Sequence, residues 1–120
     1  MRDYKKYDVW KNAKSLVKEI YVTTARFPPD ERFVITSQIR RAVISIPLNI
    51  AEGSGRRTEK DFRYFLFIAL GSSYELDTLI DLTVDLQYLN EKEAQPLKEN
   101  VILIQKQLNS LINTITKSIN

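Results

Sequence analysis

Glycine and proline occupy only 7 of the 120 positions, and that scarcity constrains the fold more than any other feature. A β-sandwich or barrel needs turn residues every 8–12 positions or so, and this chain cannot supply them. Valine and isoleucine are plentiful and favour strands on propensity alone, but their spacing is helical. Leu97, Val101, Ile104, Leu108, Leu111 and Ile115 step by 4, 3, 4, 3 and 4, the seam of an amphipathic helix. Asn90 caps its start, with Glu93 completing a capping box. Trp10, Ala13, Val17, Ile20 and Thr24 form a similar stripe ahead of Pro28-Pro29, a pair no helix continues through.

The second helix is expected over about residues 32–52, with Ile35, Ile39, Ala42, Ile46 and Ile50 inward. Gly53-Ser54-Gly55 should stop it with a left-handed glycine cap. Thr58 then caps a third helix, with Asp61 three residues on, running to about residue 89. Short connections make neighbours antiparallel, so the expected fold is all-α, one antiparallel up-down-up-down four-helix bundle over residues 1–120. Two rules are broken locally. Pro47 should kink the second helix. Gly71-Ser72-Ser73 interrupts the third, most simply to let helices approach across small residues.

Several functions are excluded at once. The chain has no histidine and no cysteine, which removes imidazole bases, thiol nucleophiles, disulfides and zinc sites built on them. The longest apolar run, residues 64–70, is far shorter than the roughly 20 residues of a membrane span. No signal peptide is expected at the amino terminus, and a cytoplasmic protein is. No cofactor motif is present: Gly53-Ser54-Gly55 lacks the rest of a phosphate-binding fingerprint and follows a helix rather than a strand. Asp77, Asp81 and Asp85 repeat every fourth residue, and with Glu52 or Glu75 they are the best metal candidates. A solvated acidic face is the simpler reading, and no nucleophile, base and oxyanion donor occur together. The chain is not expected to be an enzyme or to hold a metal.

Two helices carry more apolar surface than one core can bury. Beyond its core set, the second helix has Ile44, Pro47, Leu48 and Ala51 on its opposite side. Residues 64–70 are apolar all round, so that Tyr64, Phe67 and Ile68 must face outward. Both stretches flank one bend, and contiguous exposed apolar surface marks a partner. The simplest partner is another copy. A membrane face is the less favoured alternative, since Arg56, Arg57, Lys60 and Arg63 stand near. Gln38, Arg41, Ser45, Asn49 and Glu52 form a polar stripe between the two apolar faces. Buried polar groups need partners, and Ser72, Ser73 and Glu75 are available. A register-fixing network is expected, with a groove for a polar or anionic ligand as the other reading.

Charge is uneven. Residues 1–63 carry 14 basic and 8 acidic side chains, residues 64–120 carry 4 and 7. The charge of the amino-terminal half fits either an ordinary solvated helix surface or a nucleic-acid footprint, with Arg40, Arg41, Arg56, Arg57, Lys60 and Arg63 as the expected phosphate contacts in the latter. The bend offers a helix start beside basic residues, a place where phosphate binds well.

The run from Gln38 to Arg56, with Ile46-Pro47-Leu48-Asn49-Ile50-Ala51-Glu52-Gly53 at its centre, is followed by Phe62, Phe65-Leu66, Ala69-Leu70-Gly71-Ser72 and Glu75-Leu76. With these residues the chain resembles the small four-helix-bundle proteins encoded in intervening sequences of bacterial 23S ribosomal RNA genes. More distantly it is similar to the accessory bundle protein of diversity-generating retroelements. The resemblance implies a pentameric ring; for the retroelement relative it implies a basic ring that binds nucleic acid and a reverse transcriptase. It brings no catalytic residues. The expected function is a non-enzymatic homo-oligomer that binds RNA or a nucleic-acid-handling protein. The alternative is an oligomeric scaffold with no nucleic-acid role.

Overall fold

The computed structural model describes residues 2–119; Met1 and Asn120, the outermost positions of the single domain expected over 1–120, lie outside the described residues. Four helices form: α1 (Asp8–Thr24), α2 (Ile35–Ser54), α3 (Glu59–Asp85) and α4 (Glu91–Ser118), with short 3₁₀ turns at Tyr4–Lys6 and Pro29–Glu31. No strand occurs among the described residues. Each helix packs on its sequence neighbours, and α1 closes against α4.

Cross-helix contacts fix the directions. Ser45 meets Ser72 between α2 and α3, Arg63 meets Thr116 between α3 and α4, and Asn12 meets Gln107 between α1 and α4. Asp77 and Asp81 both pair with Lys98, and Glu19 meets Asn100. Numbers rise on one helix as they fall on the other, so neighbours are antiparallel. One end of the bundle gathers the α2–α3 bend, Arg2 and the end of α4. The other gathers the α1–α2 turn and the α3–α4 turn, where Phe27 packs on Tyr88 at 5.6 Å and Arg26 pairs with Glu93.

The core is aliphatic. Leu16, Ile20, Ile39, Ile46, Ile50, Leu66, Leu76, Ile80, Ile104 and Leu108 are fully buried, with Phe62 the largest ring among them. Four of the expected registers shift. On α1 the inward stripe is Val9, Ala13, Leu16, Ile20 and Thr24, while Trp10 and Val17 sit half-buried on its flank. On α4, Ile112 is buried where Leu111 was expected, because a straight helix drifts off a strict heptad repeat. α2 begins at Ile35 rather than near residue 32, since the two prolines feed a 3₁₀ turn and Val34 is non-helical. α3 stops at Asp85 rather than near residue 89.

The glycines also behave differently from expectation. α2 runs through Gly53 to Ser54, and Gly55 ends it in a right-handed conformation; no described glycine has positive φ. Gly53 is needed for space, because a Cβ there would lie 2.7 Å from the Phe65 Cβ. Gly71 has no atom within 4 Å of such a position, so the close approach of α2 and α3 across this stretch is made at Ser72, which meets Ser45, and not at Gly71. α2 continues unbroken past Pro47, which removes one helical hydrogen bond.

α4 starts with the expected capping box: Glu93 N–H donates to Asn90 Oδ1 at 2.8 Å, and Asn90 N–H donates back to Glu93 Oε1 at 3.0 Å. The Asn90 N–H, then Arg26, hold the Glu93 carboxyl below its ordinary pKa. α3 ends in a Schellman motif, with Tyr88 N–H on the Thr83 carbonyl and Gln87 N–H on the Val84 carbonyl, both at 2.9 Å. The left-handed position is filled by Gln87, φ 65°, where an L side chain costs about 1–2 kcal/mol. Gln87→Gly is therefore expected to stabilise the fold by about 1 kcal/mol, read as a higher urea midpoint at constant m; an unchanged or lower midpoint would contradict this assignment of strain.

Candidate functional site

The α2–α3 pair carries most of the candidate residues. Its seam is polar at the centre: the Ser45 and Ser72 hydroxyls lie 2.8 Å apart, and Asn49 Nδ2 donates to the Ser45 carbonyl at 2.8 Å and to its Oγ at 2.9 Å. The expected network is thus built by Ser45, Asn49 and Ser72 alone. Glu52 turns along its own helix to Arg56, 2.8 Å away. Gln38, Arg41 and Glu75 are exposed and make no side-chain hydrogen bond or salt bridge among the described residues. Ser73 donates instead to the Leu70 carbonyl of its own helix at 2.6 Å.

Outside that seam the pair is oily. Leu48 is 61% exposed, Tyr64 63%, Phe67 51% and Ile68 36%. Ile44, Pro47 and Ala51 are half-buried along the same side of α2. The apolar run at residues 64–70 divides as helical spacing demands: Leu66, Ala69 and Leu70 enter the core, Phe65 leans towards Gly53, and the other large side chains face out. Tyr74, 53% exposed, extends this face one turn beyond Gly71.

The six expected phosphate contacts fall into two groups. Arg40 and Arg41 sit near the start of α2, about 24 Å along the helix from Arg56 at 1.5 Å per residue. Arg56, Arg57, Lys60 and Arg63 gather at the α2–α3 bend. Three of the six are engaged within the chain without burying their charge. Arg56 pairs with Glu52 and lies 4.6 Å from the centroid of the Phe65 ring. Arg63 donates to Thr116 Oγ1 at 3.3 Å. Arg40 donates its Nε–H to Thr24 Oγ1 at 2.9 Å and stacks on Tyr21. Arg41, Arg57 and Lys60 are exposed and carry no salt bridge among the described residues.

The bend itself is organised by Arg2, a residue the sequence pattern did not single out. Its Nη1 donates to the carbonyls of Ser54 at 3.0 Å and Arg56 at 2.9 Å, it pairs with Glu59, and it stacks on Phe62 at 4.5 Å. The carbonyls that end α2 are satisfied this way. The start of α3 is occupied as well: Thr58 Oγ1 accepts the Asp61 N–H at 3.1 Å, and Glu59 and Asp61 fill the first turn. The acidic side chains of that first turn complement the positive end of the helix. Arg2, Arg56 and Arg57 line a cleft of about 530 Å³ at this bend, and Lys60 follows in the first turn of α3.

On the far side, Lys98 sits between Asp77 and Asp81. Its pKa is raised, chiefly by the Asp81 hydrogen bond, against the opposing effect of burial. Two of the three aspartates of the acidic repeat hold a lysine, and among the described residues no cluster of three or more metal-ligating side chains forms. No described helix is long and apolar enough to cross a membrane.

Comparison with known proteins supplies the wider setting. The family model described as "23S rRNA-intervening sequence protein" matches residues 5–110. A crystal structure of a protein of unknown function from the S23 ribosomal protein family of Bacteroides thetaiotaomicron VPI-5482 superposes with a TM-score of 0.78 at 25% identity, over 87% of this chain and 97% of that one. No curated protein matches in sequence.

The seam makes opposite predictions for two glycines on these helices. Gly53→Ala forces the Phe65 and Phe62 contacts apart and is expected to destabilise by about 1–3 kcal/mol. Gly71→Ala stands in open space and is expected to stabilise the isolated subunit by up to about 1 kcal/mol. Equal effects in thermal unfolding would contradict the packing described for α2 and α3.

Proposed function

This chain belongs to the 23S rRNA-intervening sequence protein family, and from that premise we propose that it is a non-enzymatic, self-associating bundle that binds RNA through the basic residues of its amino-terminal half. The observation that carries the reading is one juxtaposition. The exposed apolar face of Leu48, Tyr64, Phe67 and Ile68 lies beside Arg57 and Lys60, cations with no carboxylate partner among the described residues. Water is a poor neighbour for the first group, and the second group is left for an external anion.

A second copy covers the apolar face, with Ile44, Pro47 and Ala51 at its margin. Gly71 supports this: the fold of one subunit does not need it, yet its open surface lets another helix approach closely. Five copies, the ring size that the resemblance implies, bring a formal charge of about +15 from the +3 of each chain. That field attracts phosphate well beyond what a single subunit does. The non-enzymatic reading rests on the sequence, which holds no histidine and no cysteine. A cytoplasmic location accords with the absence of cysteine.

Filter binding to ribosomal RNA tests the reading. The intact protein is expected to retain RNA at low salt, with log affinity falling linearly in log salt concentration. Arg57→Glu combined with Lys60→Glu is expected to lower affinity roughly tenfold or more and to reduce the slope by about 2. Absence of retention at low salt would overturn it, and the scaffold reading without nucleic acid would then stand.

A further inference from the structure

The α1–α2 turn, at the opposite end of the bundle from Arg57, has a composition the RNA reading does not yet use. Phe33 is 80% exposed, and no other large apolar side chain among the described residues is more so. The Arg32 guanidinium lies over one face of its ring, 4.7 Å from the centroid, and leaves the other open. One turn into α2, Arg40 stacks on Tyr21 at 4.5 Å. Two clefts of about 300 and 340 Å³ meet here and share Arg32, Thr36 and Arg40 as lining. Thr36 is buried, and its hydroxyl has no hydrogen-bond partner.

The electrostatics point the same way. Arg32, Arg40 and Arg41 carry no salt bridge among the described residues. α3 and α4 begin on side-chain caps followed by acidic residues, whereas α2 begins on Val34, with no side-chain cap and no acid in its first turn. The two acids of the turn, Asp30 and Glu31, form no salt bridge with these arginines among the described residues, and after burial they contribute to the raised pKa of Tyr88. Flat aromatic and guanidinium faces next to uncompensated cations match an unpaired nucleotide: the base stacks and the phosphate is neutralised. A duplex keeps its base faces inside its own stack and cannot use them.

We propose that the α1–α2 turn binds unpaired nucleotides of single-stranded RNA, with bases stacking on the open face of Phe33 and beside Tyr21, and phosphates held by Arg32, Arg40 and Arg41. This rests on the RNA reading and names its substrate class. The Arg57–Lys60 end then supplies attraction for any phosphate backbone, and the turn supplies the preference for an unpaired strand.

Fluorescence anisotropy with an oligouridine of about 12 nucleotides and a duplex RNA of the same length separates these roles. Phe33→Ala is expected to weaken oligouridine binding by about 5- to 150-fold, as loss of one stacked base does, and to leave duplex binding unchanged. Arg57→Glu with Lys60→Glu is expected to weaken both. Circular dichroism and sedimentation of Phe33→Ala should match the unaltered protein. If Phe33→Ala leaves oligouridine binding intact, weakens both RNAs equally or dissociates the assembly, the inference is wrong while RNA binding stands. If the unaltered protein binds neither RNA, both readings fall.

Discussion

Gly53 has no room for a side chain, and the rest of the molecule is arranged around that fact. With a built Cβ only 2.7 Å from the Phe65 Cβ, α2 and α3 approach so closely that only small groups fit further along the seam, and Ser45, Ser72 and Asn49 fill it with their own hydrogen bonds. Such a contact sets the rotation of both helices. Once small polar residues face the seam and isoleucines and leucines face the core, the remaining arc of each helix has to carry Leu48, Tyr64, Phe67 and Ile68. The outward apolar face is a geometric consequence of the tight pair.

The two ends of the bundle differ in how their helix termini are satisfied. At the α2–α3 bend the protein neutralises itself: Arg2 takes the carbonyls that end α2, and Thr58, Glu59 and Asp61 occupy the start of α3. Positive charge persists there only on flexible side chains. At the α1–α2 turn the start of α2 is uncapped and arginines lie on aromatic rings. In the proposed reading, one end would supply diffuse attraction and the other shaped recognition. Acidic groups are spent elsewhere, on Lys98 between α3 and α4 and on Arg26 at the start of α4.

Much of this was legible in the residues. Helix number, direction and core followed from spacing, because burial of one stripe per helix dominates the energetics of a bundle. The capping box at Asn90 and the cap at Thr58 were readable since each is local. Several of the errors depend on what a distant segment does. The α1 stripe moved by one residue because Trp10 and Val17 pack on the flank while Val9 and Leu16 enter the core. Gly53 answers to Phe65 rather than to its own turn. Gln87 holds a left-handed position that glycine usually marks, so nothing in its identity announces the end of α3. For the candidate site, spacing identified the cations but not their partners. Arg56 with Glu52 is a local pair four residues apart, whereas the bond of Arg40 to Thr24 and the role of Arg2 require the folded bundle. Phe33, between Arg32 and Val34 in the segment that follows the two prolines, was the available signal for the proposed single-strand contact.

The account depends on the outer face of α2 and α3 being covered by another copy of the chain. Sedimentation equilibrium at micromolar concentration tests this directly. The intact protein is predicted to sediment as a multiple of its 14.0 kDa mass, and Leu48→Asp with Phe67→Asp is predicted to reduce it to single subunits of unchanged helicity. An unaltered protein that remains a stable 14.0 kDa species at that concentration would contradict it.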